Sequence, residues 1–144
     1  MRLTDRLKQF VAHWTGRWCS GYSDRGGQCI DLARRFLEEF CGGAYNGIPS
    51  VRAAKDMYRA ASSRKFRRVR YKPGMAAPAW ALAIFDGHDR NPWGHVAITL
   101  PGSTRHVLKT FDCNWSRPGR CSREEHRYDR DRVIGWLVPR AGLG

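Results

Sequence analysis

Residues 28–41 read QCIDLARRFLEEFC, and this stretch is the clearest helix that the sequence predicts. Apolar side chains recur in it at three- and four-residue spacing, as the buried face of a helix requires. That face consists of Ile30, Ala33, Phe36, Leu37 and Phe40. The pair Gly42-Gly43 follows and ends the helix.

The rest of the chain divides into helices before residue 64 and strands after it. Two more helices are predicted, one over residues 4–14 with Thr4 as N-cap and one from the capping residue Ser50 to Ala61. Turn residues then separate short apolar strands: Arg67–Tyr71, Trp80–Asp86, His95–Leu100, His106–Asp112 and Val133–Val138. We therefore expect an α+β domain, with N-terminal helices packed on a C-terminal antiparallel sheet of about five strands.

Length and hydropathy limit the class of protein. The chain has 144 residues, enough for one domain with its own core, and contains no repeat or linker. Its longest mostly apolar run, residues 75–85, is too short to cross a bilayer. The N-terminus, MRLTDR, has no signal-peptide core. These features predict no transmembrane segment, and synthesis in a cytoplasm without a signal peptide.

The charge predicts polyanionic partners. Twenty-six Lys and Arg against 13 Asp and Glu give a net charge of +13, which favours nucleic acid, anionic lipid or the teichoic acids of a Gram-positive wall. Residues 64–72, RKFRRVRYK, mix cations with aromatics as a nucleic-acid-binding surface does. A basic nucleic-acid-binding protein is therefore one alternative, but it leaves the following Cys and His pattern unexplained.

Of the five cysteines, Cys29 has the position that best suits a nucleophile. It stands at the first turn of the helix, where free backbone N–H groups and the helix dipole favour a thiolate. The preceding Gly26-Gly27 either lets a substrate approach closely or simply permits a turn. An inert buried cysteine is the alternative. Cys113, Cys121 and His126 lack the spacing of a structural zinc site, and no metal is predicted.

A thiolate nucleophile needs a base, and His95 is the best placed of the five histidines. It opens a predicted strand whose bulky apolar residues lie on the other face. Pairing Leu100 with Val107 in a hairpin would put His95 directly opposite Asp112. A slip of one residue would move Asp112 to the other face, so the loop must contain an even number of residues. Asn114 shares that face, and either side chain could orient the imidazole.

Three blocks resemble the signature blocks of CHAP domains, the cysteine, histidine-dependent amidohydrolase/peptidases. They are Gln28–Leu32, Gly94–Ile98 and Asp112–Trp115, and Val133–Pro139 resembles the closing strand of that family. The resemblance implies a papain-like fold and cleavage of amide bonds in peptidoglycan, either the muramoyl–L-alanine amide or a bond in the stem or cross-bridge peptides. Many members are bacteriophage endolysins or virion-associated lysins, which reach the wall after release or delivery.

With this resemblance, Cys29 becomes the expected nucleophile and His95 its base. Asp112 is expected to orient His95, with Asn114 assisting or replacing it. The backbone N–H of Cys29 is a natural oxyanion donor, and Gln28 is a candidate for the second. Trp93 and Trp115 are candidate walls of the substrate groove, with ordinary packing as their alternative.

The expected partners are peptidoglycan and anionic wall polymers, without a specific nucleic acid. Some CHAP domains bind calcium through aspartates before the cysteine, but residues 20–24 offer only Asp24, so no cofactor is expected and calcium has little support. We expect a single catalytic domain over residues 1–144 with no separate wall-binding domain. The positive charge would then attach the protein to the anionic wall. A contact-delivered toxin amidase of the same chemistry is a further alternative, and the oligomeric state is open.

Overall fold

The computed structural model describes residues 1–144 and confirms the α+β architecture. The helices are α1 (Leu3–Trp14), α2 (Cys29–Phe40) and α3 (Met57–Ala60), which follows a 3₁₀ turn at Ala54–Asp56. The strands are β1 (Phe66–Arg70), β2 (Leu82–Phe85), β3 (His95–Thr99), β4 (Leu108–Cys113), β5 (Cys121–His126) and β6 (Val133–Pro139). None of the helices has the length and apolar character needed to span a membrane.

The six strands form one antiparallel sheet in the order β1-β6-β2-β3-β4-β5. The sequence predicted about five strands, and the strand that it did not predict is β5, which lies at one edge of this sheet. Its sequence, CSREEH, buries only Cys121 and His126 at its two ends. An edge strand with charged residues between its ends lacks the apolar alternation from which strands are predicted.

The main core lies between the helices and one face of the sheet. Phe10 of α1 makes edge-on contacts with Phe36 and Phe40 of α2, with ring centroids 6.2 Å and 5.6 Å away. Phe10 also meets Phe111 of β4 at 6.5 Å, so these rings join both helices to the sheet. A smaller apolar cluster, which includes Ala97, lies on the opposite face.

Two helices start at positions other than those predicted. Helix α1 begins after Arg2 without a side-chain cap, so Thr4 lies inside the helix. Ser50 is not a cap, because the helical segment begins only at the 3₁₀ turn and is shorter than expected. In that turn the backbone N–H of Lys55 donates to the carbonyl of Trp93 at 3.1 Å. This bond ties the segment to the loop before β3.

The β3–β4 hairpin has a register two residues away from the predicted one. The backbone N–H of Leu100 donates to the carbonyl of Lys109 at 2.8 Å, and the following strand pairs keep this register. The predicted pairing of Leu100 with Val107 is therefore wrong. Val107 instead accepts a bond from the N–H of Thr104 within the loop, at 2.8 Å. Because the shift is an even number of residues, the proposed base and acid still lie on one face.

Candidate active site

Cys29 is the first residue of α2, and its side chain is half-buried. The turn before it uses Gly26 and Gly27 at φ values of 69° and 65°, a region that residues with a Cβ rarely adopt. A Cβ on Gly27 would also lie 2.7 Å from the indole of Trp18. The two glycines therefore permit both the turn and its close packing against Trp18.

Asp31 fixes this loop to the start of α2. Its buried carboxylate accepts bonds from the backbone N–H groups of Tyr22, Ser23 and Gln28 at 3.0, 2.8 and 3.1 Å. The hydroxyl of Ser23 donates to the same carboxylate. Asp31 was not among the predicted site residues, although an acid three residues after a helix N-cap is a known capping signal. Asp31, two residues after Cys29, thus holds the loop against the start of α2 and fixes the position of Cys29.

His95 and Asp112 form a buried pair on β3 and β4. The Nε2 atom of His95 lies 2.7 Å from Oδ2 of Asp112, and His95 is only 3% exposed. The other oxygen of Asp112 accepts a bond from the hydroxyl of Thr110. Since Nε2 is occupied, Nδ1 is the ring nitrogen left to interact with Cys29.

The electrostatics of this pair favour ionised forms. Burial lowers the pKa of His95, but the Cys29 sulfur and the Asp112 carboxylate outweigh this effect and raise the pKa to about 10. Burial likewise raises the pKa of Asp112, but hydrogen bonds from His126 and His95 outweigh it and hold that pKa below its usual range. An imidazolium next to a carboxylate can serve as the counter-ion of a thiolate.

Asn114 makes its hydrogen bonds elsewhere and not to His95. It follows β4 at a left-handed φ of 63°. Its Nδ2 group donates to Oε1 of Gln28 at 3.3 Å, and its Oδ1 accepts a bond from the N–H of Gly119 at 2.8 Å. The amide of Asn114 therefore joins the loop after β4 to the start of α2, and it leaves the Nε2 group of Gln28 free to donate.

A cavity of about 410 Å³ opens where these elements meet. Its lining includes Gln28, Cys29, Trp93, His95 and Asn114, which are five of the predicted site residues. Arg52 also lines this cavity, and no carboxylate does. The cavity therefore combines a thiol, an imidazole and a guanidinium in an environment that suits an anionic ligand.

The two tryptophans have different positions. Trp93 is 62% exposed and lines the cavity, as a groove wall would. Trp115 lies outside the cavity lining and packs on His95 and His126, with ring centroids 4.8 Å and 4.6 Å away. Trp115 therefore covers the buried pair rather than forming the cavity wall.

The structure adds His126 to the site. Its Nε2 atom lies 2.9 Å from Oδ2 of Asp112, and its Nδ1 atom lies 2.9 Å from Oδ2 of Asp131. The sequence marked His126 only as a rejected zinc ligand, because it ends the charged edge strand that the pattern did not predict.

The remaining thiols and acids do not form a metal centre. No group of three or more His, Cys, Asp or Glu side chains is arranged to hold a metal ion. Asp24 is exposed, and all five cysteines are free thiols. Cys41, at the far end of α2, has a pKa that burial raises to about 12.

The comparisons with known proteins concern the fold. No protein-family model matches the chain, and no curated protein matches it. The structure of the wild-type endolysin LysIME-EF1 matches with a TM-score of 0.77 and 19% identity, over 96% of this chain and 65% of that chain. Ly7917 matches with a TM-score of 0.66 and 16% identity, over 96% and 63% of the two chains. Ly7917 with the hydrolyzing product of MDP matches at 0.68 and 14%, with the same coverage.

These matches define the class of fold, an arrangement of helices on an antiparallel sheet that an endolysin also has. More particularly, this chain shares the architecture of LysIME-EF1 over almost its whole length. The chain spans only 63–65% of the length of the solved chains that it resembles.

Proposed function

We propose that the protein is a peptidoglycan hydrolase, acting as a phage lysin, which cleaves amide bonds of the bacterial wall by a Cys-His-Asp thiol mechanism. The proposal depends above all on one observation: Cys29 and His95 line a single cavity, and Asp112 bonds the far side of the imidazole at 2.7 Å. The resemblance to CHAP domains and the fold shared with an endolysin support peptidoglycan as the substrate.

In the proposed reaction, the Cys29 thiolate attacks the amide carbonyl, and the His95 imidazolium protonates the departing amine. The C–N bond breaks and a thioester forms on Cys29. Neutral His95 then takes a proton from water, which attacks the thioester, releases the carboxylic acid and regenerates Cys29. Asp112 holds the imidazole and stabilises its charged form throughout.

The tetrahedral intermediate needs hydrogen-bond donors for its oxyanion. Cys29, as the first residue of α2, has a backbone N–H without an acceptor inside the helix. Gln28 lines the same cavity, and the bond from Asn114 engages its Oε1 atom rather than its Nε2 group. We assign both donors to the oxyanion.

The charge of the site suits the proposed substrate. Peptide stems of the wall carry carboxylates, and Arg52 offers the cavity a guanidinium without a competing acid. The net charge of +13 favours retention of the protein on anionic wall polymers after its release or delivery.

The nucleic-acid alternative finds little support in the basic segment 64–72. Phe66 is buried, and Tyr71 stacks on Tyr128 with ring centroids 4.7 Å apart, so neither ring is free to stack on bases. The guanidinium of Arg68 donates to backbone carbonyls at and after α3. The aromatic rings and Arg68 of this segment therefore contribute to packing, whereas its other cations are exposed.

The test uses purified Gram-positive walls with the wild type, Cys29→Ala and the control Cys41→Ala. Turbidity would follow lysis, and mass spectrometry of the released fragments would identify the bond that is cut. We expect clearing and new peptide termini with the wild type and Cys41→Ala only. Clearing by Cys29→Ala would remove Cys29 from the chemistry, and failure of the wild type on several wall types would overturn the peptidoglycan assignment.

A further inference from the structure

His126 lies fully buried on β5 between two carboxylates. Its Nε2 atom is 2.9 Å from Asp112, and its Nδ1 atom is 2.9 Å from Asp131. An ionised carboxylate can only accept hydrogen bonds, so both ring nitrogens of His126 must donate. Both nitrogens can donate at once only when the ring carries two protons.

The orientation of the ring is fixed by packing as well as by hydrogen bonds. Phe85 and Trp115 contact it, each with a ring centroid 4.6 Å away. The His95 ring lies farther off, at 6.3 Å, and bonds the same oxygen of Asp112. The His126 ring therefore has little freedom to rotate away from either acid.

These groups form a hydrogen-bonded chain of alternating basic and acidic side chains that leads from the cavity to the surface. In order, its members are His95, Asp112, His126, Asp131 and Arg130. The last pair is 2.9 Å apart, and the Arg130 side chain is 63% exposed. Asp112 and Asp131 each lie between two basic side chains, which offset the cost of burying a carboxylate.

We propose that His126 is a positioning residue of the active site, which keeps Asp112 ionised and directed at His95, while Asp131 keeps His126 charged. In the proposed reaction, His95 becomes neutral when it protonates the leaving amine. The buried Asp112 then loses one of its two cationic neighbours. His126 does not take part in the proton transfer, so it supplies a constant counter-charge during that step.

The catalytic part of this role rests on the proposed function. The effect of His126 on the active site can also be measured without a substrate. Alkylation of Cys29 by iodoacetamide, followed by peptide mass spectrometry as a function of pH, reports the thiolate that the His95–Asp112 pair supports. His126→Phe keeps a ring but removes both donors. His126→Gln returns one neutral donor toward Asp112, and Asp131→Asn removes the distal charge.

We expect His126→Phe to move the acid limb of Cys29 alkylation to higher pH, because Asp112 without this cation takes up a proton more readily. The kcat/KM value for wall cleavage should fall by about 10- to 100-fold, the effect of losing a charged hydrogen bond. His126→Gln should recover part of both effects, and Asp131→Asn should shift the limb in the same direction. An unchanged alkylation profile in folded His126→Phe would overturn the proposal.

A measurement on the unmodified protein covers the case in which the variants do not fold. In ¹⁵N-histidine NMR spectra near neutral pH, both ring nitrogens of His126 should carry protons. A spectrum with one protonated nitrogen would also overturn the proposal. Shifted alkylation profiles together with no wall cleavage by the wild type would contradict the proposed function and leave the role of His126 in place.

Discussion

The Nε2 atom of His95 lies 2.7 Å from Oδ2 of Asp112, although the two residues do not face each other in the sheet. The β3–β4 register places Asp112 two residues away from the position opposite His95, so the imidazole reaches it diagonally. The same oxygen accepts a bond from His126 on β5 at 2.9 Å. One carboxylate oxygen of β4 thus serves histidines from the strands on both sides.

Replacement of Asp112 by Asn should change the pH dependence of activity. Asp112 is one of the groups that raise the pKa of His95 to about 10, so loss of its charge lowers that pKa. The imidazolium that protonates the leaving amine in the proposed reaction is then lost at lower pH. We expect the alkaline limb of kcat/KM to move to lower pH and activity to fall by about 10²- to 10⁴-fold. The exposed control Asp129→Asn should leave the limb unchanged, and an unmoved limb in Asp112→Asn would contradict the assigned role.

Gly27→Ala should destabilise the protein more than Gly74→Ala. Both glycines have positive φ values, 65° and 93°, so both substitutions strain the backbone. Only at Gly27 does an added Cβ also meet another group, the Trp18 indole, at 2.7 Å. Urea unfolding should show losses of about 2–4 kcal/mol for Gly27→Ala and about 1–2 kcal/mol for Gly74→Ala. Equal losses would mean that the contact with Trp18 does not limit this turn.

Arg52→Gln should weaken substrate binding. If the guanidinium binds a carboxylate of the wall peptide, its removal should raise KM for soluble wall fragments by about tenfold, with a smaller change in kcat. Arg64→Gln provides a control of equal charge change, since Arg64 is exposed and lies outside the cavity lining. Equal effects of the two substitutions would mean that Arg52 acts only through the net charge of the protein and not by binding a carboxylate.

Added salt should inhibit lysis of intact walls. With a net charge of +13, adsorption to anionic polymers is electrostatic and is screened as the ionic strength rises. Activity on whole walls should therefore fall steeply between low and physiological salt, whereas cleavage of short soluble fragments should fall less. A flat response on whole walls would exclude charge as the means of retention.

The sequence predicted the parts of the fold that have a local pattern. The helical period of residues 28–41 predicted α2 and so the position of Cys29. Strand alternation indicated which face His95 occupies. The predicted register was wrong by two residues, but the hairpin loop still has an even number of residues, so His95 and Asp112 lie on the same face. Register itself depends on how the loop residues bond to one another, which no strand period encodes.

The parts that were missed depend on tertiary contacts. His126 lies in a strand with charged residues between its ends, and its two acidic partners come from β4 and from the turn after β5. Asn114 was a candidate partner of His95 by alternation alone, but its left-handed φ turns its amide toward Gln28 and Gly119. Backbone dihedral angles of this kind are not visible in a strand pattern.

The most direct test of a thiol mechanism is to trap the acyl group during cleavage. Excess protein would be mixed with soluble peptidoglycan fragments and quenched in acid within the first turnover, and its proteolytic peptides would be weighed. We expect a hydroxylamine-sensitive acyl adduct on the peptide that contains Cys29, and none in Cys29→Ala. Rapid cleavage without an adduct on Cys29, or with the adduct on another residue, would contradict the thiol mechanism of Cys29.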